Sequence, residues 1–423
     1  MNRIAYLANS FPEAIESYVW EEVCELRKRG RTVSVCSFRR PHHLPEHLAG
    51  AASETSYVFP LRMQLAIHAC WMCISRLYLI GDLLWRAVRG SEPIQRRLRT
   101  IVHTWLGGYL AAALHKERIA HIHVHHGYFS SWAGMVAARL LGATFIFTLH
   151  GSDLLVRGDY LDCKLNNCRF CITVSEFNRN YIREHFPAMD PDKILVHRLG
   201  IDLEFWRPLS RTAAGSQFSI LSVGRLQAVK NYEFLIHACV ELKAAGLNFR
   251  CRIAGEGEER GRLQDLIRKS RLENEIELLG RISRERLPSL YSQADVVALT
   301  SHSEGIPQTL MEAMAMERVV LAPAITGIPE LIVNEQTGFL YQPNSMPDFL
   351  VKLAHIAAAS LSLNELRQEA RQYVEFCFNR QRNLDTWAQD FVQRVDRGAT
   401  AIYANPVLQQ VQLPVQRDRS IPV

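Results

Sequence analysis

"EGIPQTLMEAMA", residues 304–315, decides how the second half of the chain folds. It follows an apolar run, "VVALT", and a short polar loop, "SHS", in which Gly305 and Ile306 come next. Pro307 stands in what would be the first turn of a helix, where proline is tolerated. A strand that leaves through a loop into a helix is half of a parallel α/β unit. The amides of Gln308, Thr309 and Leu310 would then be free at a helix N-terminus, a ready site for a phosphate. Glu304 precedes that terminus and Glu312 lies more than a turn inside it, roughly 10 Å away at about 1.5 Å per residue. Each carboxylate could accept hydrogen bonds from sugar hydroxyls on one side of a diphosphate, which suits a nucleotide-sugar. Spacing alone leaves a second reading, a solvated loop glutamate and a helix glutamate paired with Arg318.

Working outward, strand-like runs alternate with helical spacing on both sides of a linker rich in Pro, Ser, Ala and Gly at residues 206–217. Before it come "RIAYLA", "TVSVCSF", "AHIHVHHG", "ATFIFTLHG", "FCITVS" and "ILVHRLGID"; after it "FSILSVGR", "FRCRIAG", "IELLG", "VVALT" and "RVVLAP". The expectation is two parallel-sheet α/β domains, 1–205 and 206–382, facing each other across a cleft that holds the site. A helix over 383–403 is expected to cross back to the first domain, and 404–423 to be a disordered tail.

Composition narrows the function. Of 423 residues, 48% are hydrophobic and 22% charged, as in ordinary globular proteins. The net charge of +6 is too weak and scattered for a nucleic-acid partner. The N-terminus does not read as a signal peptide, and no segment reaches the roughly 18 uncharged apolar residues of a membrane span. The ten cysteines are therefore expected to be reduced, in a cytoplasmic protein.

Two further motifs sit at strand ends. In "SVGRLQAVKN", Gly224 lets a ligand approach the backbone. Arg225 and Lys230 would neutralise a diphosphate, one as a planar fork and one as a point charge. "AGEGEER" places Gly255 and Glu256 in a Gly-x-Gly turn. It lacks the third glycine of a dinucleotide fingerprint, so a tight turn beneath a nucleotide base is the better reading.

These elements, in this order and spacing, resemble the donor domain of glycosyltransferase family 4, the retaining GT-B enzymes, over Phe218 to Asn344. "EGIPQTLMEAMA" with "GIPELIVNEQTGFL" is similar to that family's pair of glutamates separated by seven residues. The resemblance implies that Arg225 and Lys230 hold the donor diphosphate, Glu304 the donor sugar and Glu312 the ribose. Gly224, Gly255, Glu256, Ile282 and the 305–310 loop and helix start would complete the donor site. The N-terminal half resembles the family less tightly. "TLHGSDL" implies that His150 touches the transferred sugar, with Asp153 close behind. Glu16 and Ser17 stand where the polysaccharide-making branch has Ser-Glu-Thr, Ile15 departing from it. Those two residues, His125 and Asp153 are the candidates for the acceptor side of the cleft.

The family reading implies a retaining, metal-independent transfer from a nucleotide-diphosphate sugar to a saccharide or polyprenyl-linked acceptor, with no cofactor. Its rivals are a sugar-nucleotide epimerase of the same fold and a catalytically inactive binding subunit. His121, His123 and His125 alternate on one strand face, and three such neighbours rarely wrap an ion. Cys163, Cys168 and Cys171 lack a nearby fourth cysteine for a cluster. Leu61 to Val88 is apolar with interleaved arginines. It reads either as a core helix pair or as an interfacial helix making peripheral contact with an anionic membrane.

Overall fold

Each strand-like run is short and apolar because a parallel strand is covered by helices on both faces. The computed structural model describes residues 3–13, 17–41, 48–156, 158–209, 217–359 and 362–396. The first half runs β1 (Arg3–Ser10), α1 (Ser17–Lys28), β2 (Val33–Arg39), α2 (Ala49–Ser53), β3 (Thr55–Tyr57), α3 (Met63–Ser75), α4 (Leu77–Arg89), α5 (Ile94–Leu114), β4 (Ile119–His125), α6 (Phe129–Leu141), β5 (Thr144–Leu149), α7 (Ser152–Leu155), α8 (Leu161–Asn167), β6 (Cys168–Thr173), α9 (Glu176–His185) and β7 (Ile194–Val196). The second runs β8 (Phe218–Val223), α10 (Tyr232–Ala244), β9 (Phe249–Ala254), α11 (Arg260–Lys269), β10 (Ile276–Gly280), α12 (Leu287–Ser292), β11 (Val296–Ala298), α13 (Gln308–Ala315), β12 (Val319–Pro323), β13 (Phe339–Tyr341), α14 (Met346–Ala358), α15 (Asn364–Cys377) and α16 (Arg380–Asp396).

The strands form two parallel sheets, seven in the order β3-β2-β1-β4-β5-β6-β7 and six in the order β10-β9-β8-β11-β12-β13. The order reverses between β1 and β4 in the first sheet and between β8 and β11 in the second. At such a reversal the loops after the two strands leave toward opposite faces and open a crevice at the carboxyl edge. His125 ends β4 at the first crevice. The 224–230 and 301–306 loops flank the second.

Each sheet has its own core, one holding Phe38, Trp132 and Phe147, the other Ile220, Leu235 and Leu321. The last helix, α16, packs on α1 of the first half. Its Trp387, Ala388, Phe391 and Val395 share a core with Tyr6, Val23 and Phe170.

Two findings depart from the strand-and-helix reading. The three-residue strands β3 and β13 add an outer strand to each sheet. The 61–114 stretch folds as α3, α4 and α5, with α3 and α4 bent 90° to one another. Among the described residues no single helix is long and apolar enough to cross a membrane. The 404–423 tail and Glu16 lie outside the described residues, as does most of the linker.

Candidate functional site

The second sheet's crevice brings the donor-side candidates together. Lys230 closes a one-turn 3-10 helix after β8, and Asn231 takes a left-handed φ of 50° to start α10. Its ammonium meets Glu304, from the loop after β11, at 2.6 Å. The same Oε1 accepts from the Ser301 hydroxyl at 2.5 Å, so Oε2 has no bond among the described residues. Thr326 fixes the loop behind, donating to the Glu304 carbonyl at 2.6 Å. Arg225 is exposed, with no side-chain partner among the described residues.

The Gly-x-Gly turn has a packing reason. A Cβ on Gly255 would lie 1.9 Å from the Gly224 carbonyl oxygen, and one on Gly257 2.2 Å from that of Leu226. The turn thus lies flat against the Gly224–Leu226 loop, with Glu256 exposed and tied to Arg260 at 3.0 Å. Ile282, half-buried, follows β10 on the same carboxyl edge.

The helix start differs from expectation in detail. Pro307 is the N-cap of α13, one residue before the first turn, with φ −73° and ψ 119°. Its carbonyl accepts the Leu310 amide at 3.2 Å, because a tight first turn closes an i to i+3 bond there. The amides left for an anion are those of Gln308 and Thr309, beside the loop residues Gly305 and Ile306. Glu312, one turn in, accepts the Tyr291 hydroxyl at 2.8 Å, while Arg318 donates to the Met316 and Ser292 carbonyls. Burial pushes the Glu312 carboxyl up to about 7, against the opposing pull of the Tyr291 hydroxyl and Arg284.

The first sheet presents a histidine cluster. His125, fully buried, sits between Glu22 (Nε2 to Oε2, 3.0 Å) and His150 (Nδ1 to Nε2, 3.2 Å). Tyr6 also donates to Glu22, at 3.0 Å. A carboxylate only accepts, so His125 donates from Nε2, and the neutral tautomer that does so accepts at Nδ1. Opposite that tautomer His150 donates from Nε2 and keeps a lone pair on Nδ1. Burial, with His126 and His125 beside it, holds the His150 imidazole well below the usual histidine value, hence neutral. Asp153 braces the loop by accepting the amides of His150 and Gly151, both at 2.9 Å, and of Gly127 at 2.8 Å. Despite full burial its carboxyl is held low by His126, His150 and the Gly127 amide.

The two crevices close on each other. A Cβ on Gly305 would fall 2.3 Å from the His150 carbonyl oxygen, so the 150–151 and 304–305 backbones are in direct contact. Glu330 links the domains again, accepting the amides of Glu176 (3.0 Å) and Phe177 (2.7 Å) and the Arg198 guanidinium (3.0 Å). A pocket opens beside this contact, lined by Tyr18, Glu22, Arg198 and Arg380 among others.

Glu22, Tyr291, Ser301, Thr326 and Glu330 were not singled out from the sequence. Only Glu22 had a readable signal: it shares a helical face with Val19, Val23 and Leu26, which marks it as a buried carboxylate. Ser17 begins α1. The cysteines read as a partial cluster are free, with Cys168 and Cys171 buried in β6. Among the described residues, Glu22, His123 and His125 alone present metal-ligand atoms close together, within 4.8 Å.

Comparison with known proteins decides the family. The model for Glycosyltransferase Family 4 matches residues 15–205, and that for Glycosyl transferases group 1 matches residues 210–373. The chain belongs to the family 4, group 1 glycosyltransferases. Among this member's relatives, a putative colanic acid biosynthesis glycosyltransferase, WcaL of Escherichia coli (strain K12), is 36% identical over 45% of this chain and 48% of its own length. The amylovoran biosynthesis glycosyltransferase AmsK of Erwinia amylovora is 29% identical over 60% and 66%. The chain spans about half the length of the first of these curated relatives. Among solved structures, a glycosyltransferase from Rickettsia africae superposes with a TM-score of 0.69 at 18% identity, covering 94% of this chain and all of that one. Anabaena HepE in complex with UDP gives 0.68 at 16% identity, covering 93% and all of that chain. At these identities the likeness is one of fold, and it makes the two facing sheets a GT-B arrangement.

Proposed function

We propose that this protein is a retaining glycosyltransferase. It moves a sugar from a nucleotide-diphosphate donor to a saccharide or polyprenyl-linked acceptor in surface polysaccharide synthesis, at the cytoplasmic face of the membrane and without a metal. The observation that carries this reading is the meeting of Lys230 and Glu304 at the carboxyl edge of the second sheet, beside the open amides of α13.

Lys230, Arg225 and those amides stabilise the charge that develops on the departing diphosphate, the term that dominates such transfers. Glu304 holds the sugar hydroxyls and Glu312 the ribose. The acceptor hydroxyl attacks from the side the diphosphate leaves, and the neutral His150 holds the sugar through its Nδ1 lone pair. Relatives named for colanic acid and amylovoran biosynthesis support the polysaccharide reading.

The test is a melting-temperature screen with UDP, GDP and their sugars, followed by donor turnover. A ligand that binds the native state alone raises the midpoint. No shift with any nucleotide diphosphate or its sugars, and no turnover, would overturn the reading.

A further inference from the structure

The N-terminal domain carries an unusual concentration of uncovered apolar surface. Fourteen of the 19 exposed large apolar side chains among the described residues fall between Phe59 and Val102. They form stripes. On α3, Met63, Ile67, Trp71 and Ile74 repeat with helical spacing on the side opposite the buried Ala69 and Met72. Leu77 and Trp85 continue the surface along α4 beyond the 90° bend. On α5, Ile94, Leu98 and Val102 repeat it again, opposite the buried Thr100 and Thr104. A soluble surface rarely leaves so large a contiguous patch bare unless something covers it.

Charge says what covers it. Residues 61–102 hold seven arginines against two carboxylates, a net +5 in a chain whose total is +6. Both carboxylates are internally committed, Asp82 to Arg139 and Glu92 to Arg86. Arg62, Arg89 and Arg99 remain exposed at the margins of the stripes. Apolar stripes rimmed by unneutralised arginines match an anionic lipid surface, with rings in the acyl boundary and guanidinium groups among the phosphates.

Position says why. Helix α5 runs antiparallel to β4 and ends just before it. Its His103 ring lies 4.9 Å from Phe129, the first residue of α6, at the carboxyl end of β4. The nine residues of α5 before His103 therefore reach about 14 Å past that end, on the side of the cleft mouth. Arg96 pairs with Asp159 at 2.7 Å and Arg86 lies over the Tyr160 ring, tying these helices to the segment that follows Asp153.

We propose that α3, the α3–α4 bend and the first half of α5 form one face that docks on an anionic bilayer and holds the cleft mouth against it. An acceptor carried on a lipid would then reach His150 without leaving the membrane. That link to the acceptor rests on the proposed function, whereas the docking does not.

The test uses the full chain with phosphatidylglycerol-containing and with purely phosphatidylcholine vesicles. Salt-sensitive cosedimentation with the anionic vesicles is expected, and little with the neutral ones. The triple variant Arg62→Glu, Arg89→Glu, Arg99→Glu should lower the partition coefficient at least tenfold, at roughly fivefold per cation. Arg96 and Arg97 are spared because they bond Asp159 and the Ala87 carbonyl. A second variant, Ile67→Asp with Trp71→Asp, should abolish binding with an unchanged melting temperature, since both side chains are exposed.

Wild type that stays in the supernatant at low salt would overturn the proposal. So would a stable dimer that the Ile67/Trp71 variant breaks, which would make a second copy of the chain the true cover. Vesicle binding with neither a nucleotide-induced melting shift nor donor turnover would leave the docking standing and sink the transferase reading.

Discussion

Lys230 and Glu304, 74 residues apart in the chain, meet at 2.6 Å because β8 and β11 are neighbours at the point where the second sheet's order reverses. The cation read as a diphosphate clamp and the carboxylate read as a sugar holder therefore neutralise each other before any donor arrives. On the proposed reading a donor would divide the pair, taking the ammonium with its phosphates and the carboxylate with its sugar. Lys230→Ala or Arg225→Ala should lower donor turnover roughly 100-fold, the scale of losing one charge-stabilising donor. Glu304→Ala should lower kcat more than nucleotide affinity. Steady-state kinetics with dissociation constants for the nucleotide alone check this, and unchanged turnover in all three variants removes the pair from the mechanism.

Glu312 should make nucleotide binding pH-dependent. Its carboxyl, ordinarily near 4.5, is pushed up to about 7 by burial. The unfolded chain releases this proton first, so the group's contribution to stability falls as pH rises from 4.5 to 7 and levels off above. Ribose hydroxyls favour the ionised acceptor, so nucleotide affinity should climb through pH 7 with release of a proton. Calorimetry at several pH values reads both. Glu312→Gln should flatten the profile, and a wild-type profile already flat across pH 7 would sever Glu312 from the ribose.

The chain of bonds from Glu22 through His125 to His150 should act on tautomer rather than on donor affinity. Glu22→Gln can donate to His125 Nε2 and invert the whole series. Turnover should fall about tenfold or more while nucleotide affinity holds, and the imidazole nitrogen NMR shifts of His150 should exchange identities. A variant with wild-type shifts and reduced turnover would mean that Glu22 acts only through packing.

Turnover should survive EDTA, since Arg225 and Lys230 bring the charge that a cation would otherwise supply. Loss of activity together with a stoichiometric metal would instead place an ion among Glu22, His123 and His125.

The sheets and the meeting of Lys230 with the 304–308 loop at one sheet edge were legible because buried parallel strands are short apolar runs and strand-to-helix loops carry their glycines and charges in fixed order. Less could be read where apolar residues serve two purposes. In α3 and α5 the same Leu, Ile and Trp content describes a core helix or a bare one, and only packing separates Ala69 from Ile67. The strands β3 and β13 are too short to show alternation. Glu330 gave no local sign, since its partners lie more than 130 residues away in the other domain. The Leu310 amide was misjudged because a first turn that closes on Pro307 is not visible in residue types.

Helix α16 gives the molecule an order of assembly. Trp387, Phe391 and Val395 fill the core beneath Tyr6 and Val23, so a helix made after both sheets completes the packing around the central strand of the first. A nascent chain on the ribosome can pair the strands of the first sheet, yet it leaves that face open until the second sheet and α16 have also emerged. The first half expressed alone, ending at the linker, would expose an apolar gap where α16 belongs. It would be expected to aggregate unless the last helix were supplied as a separate peptide.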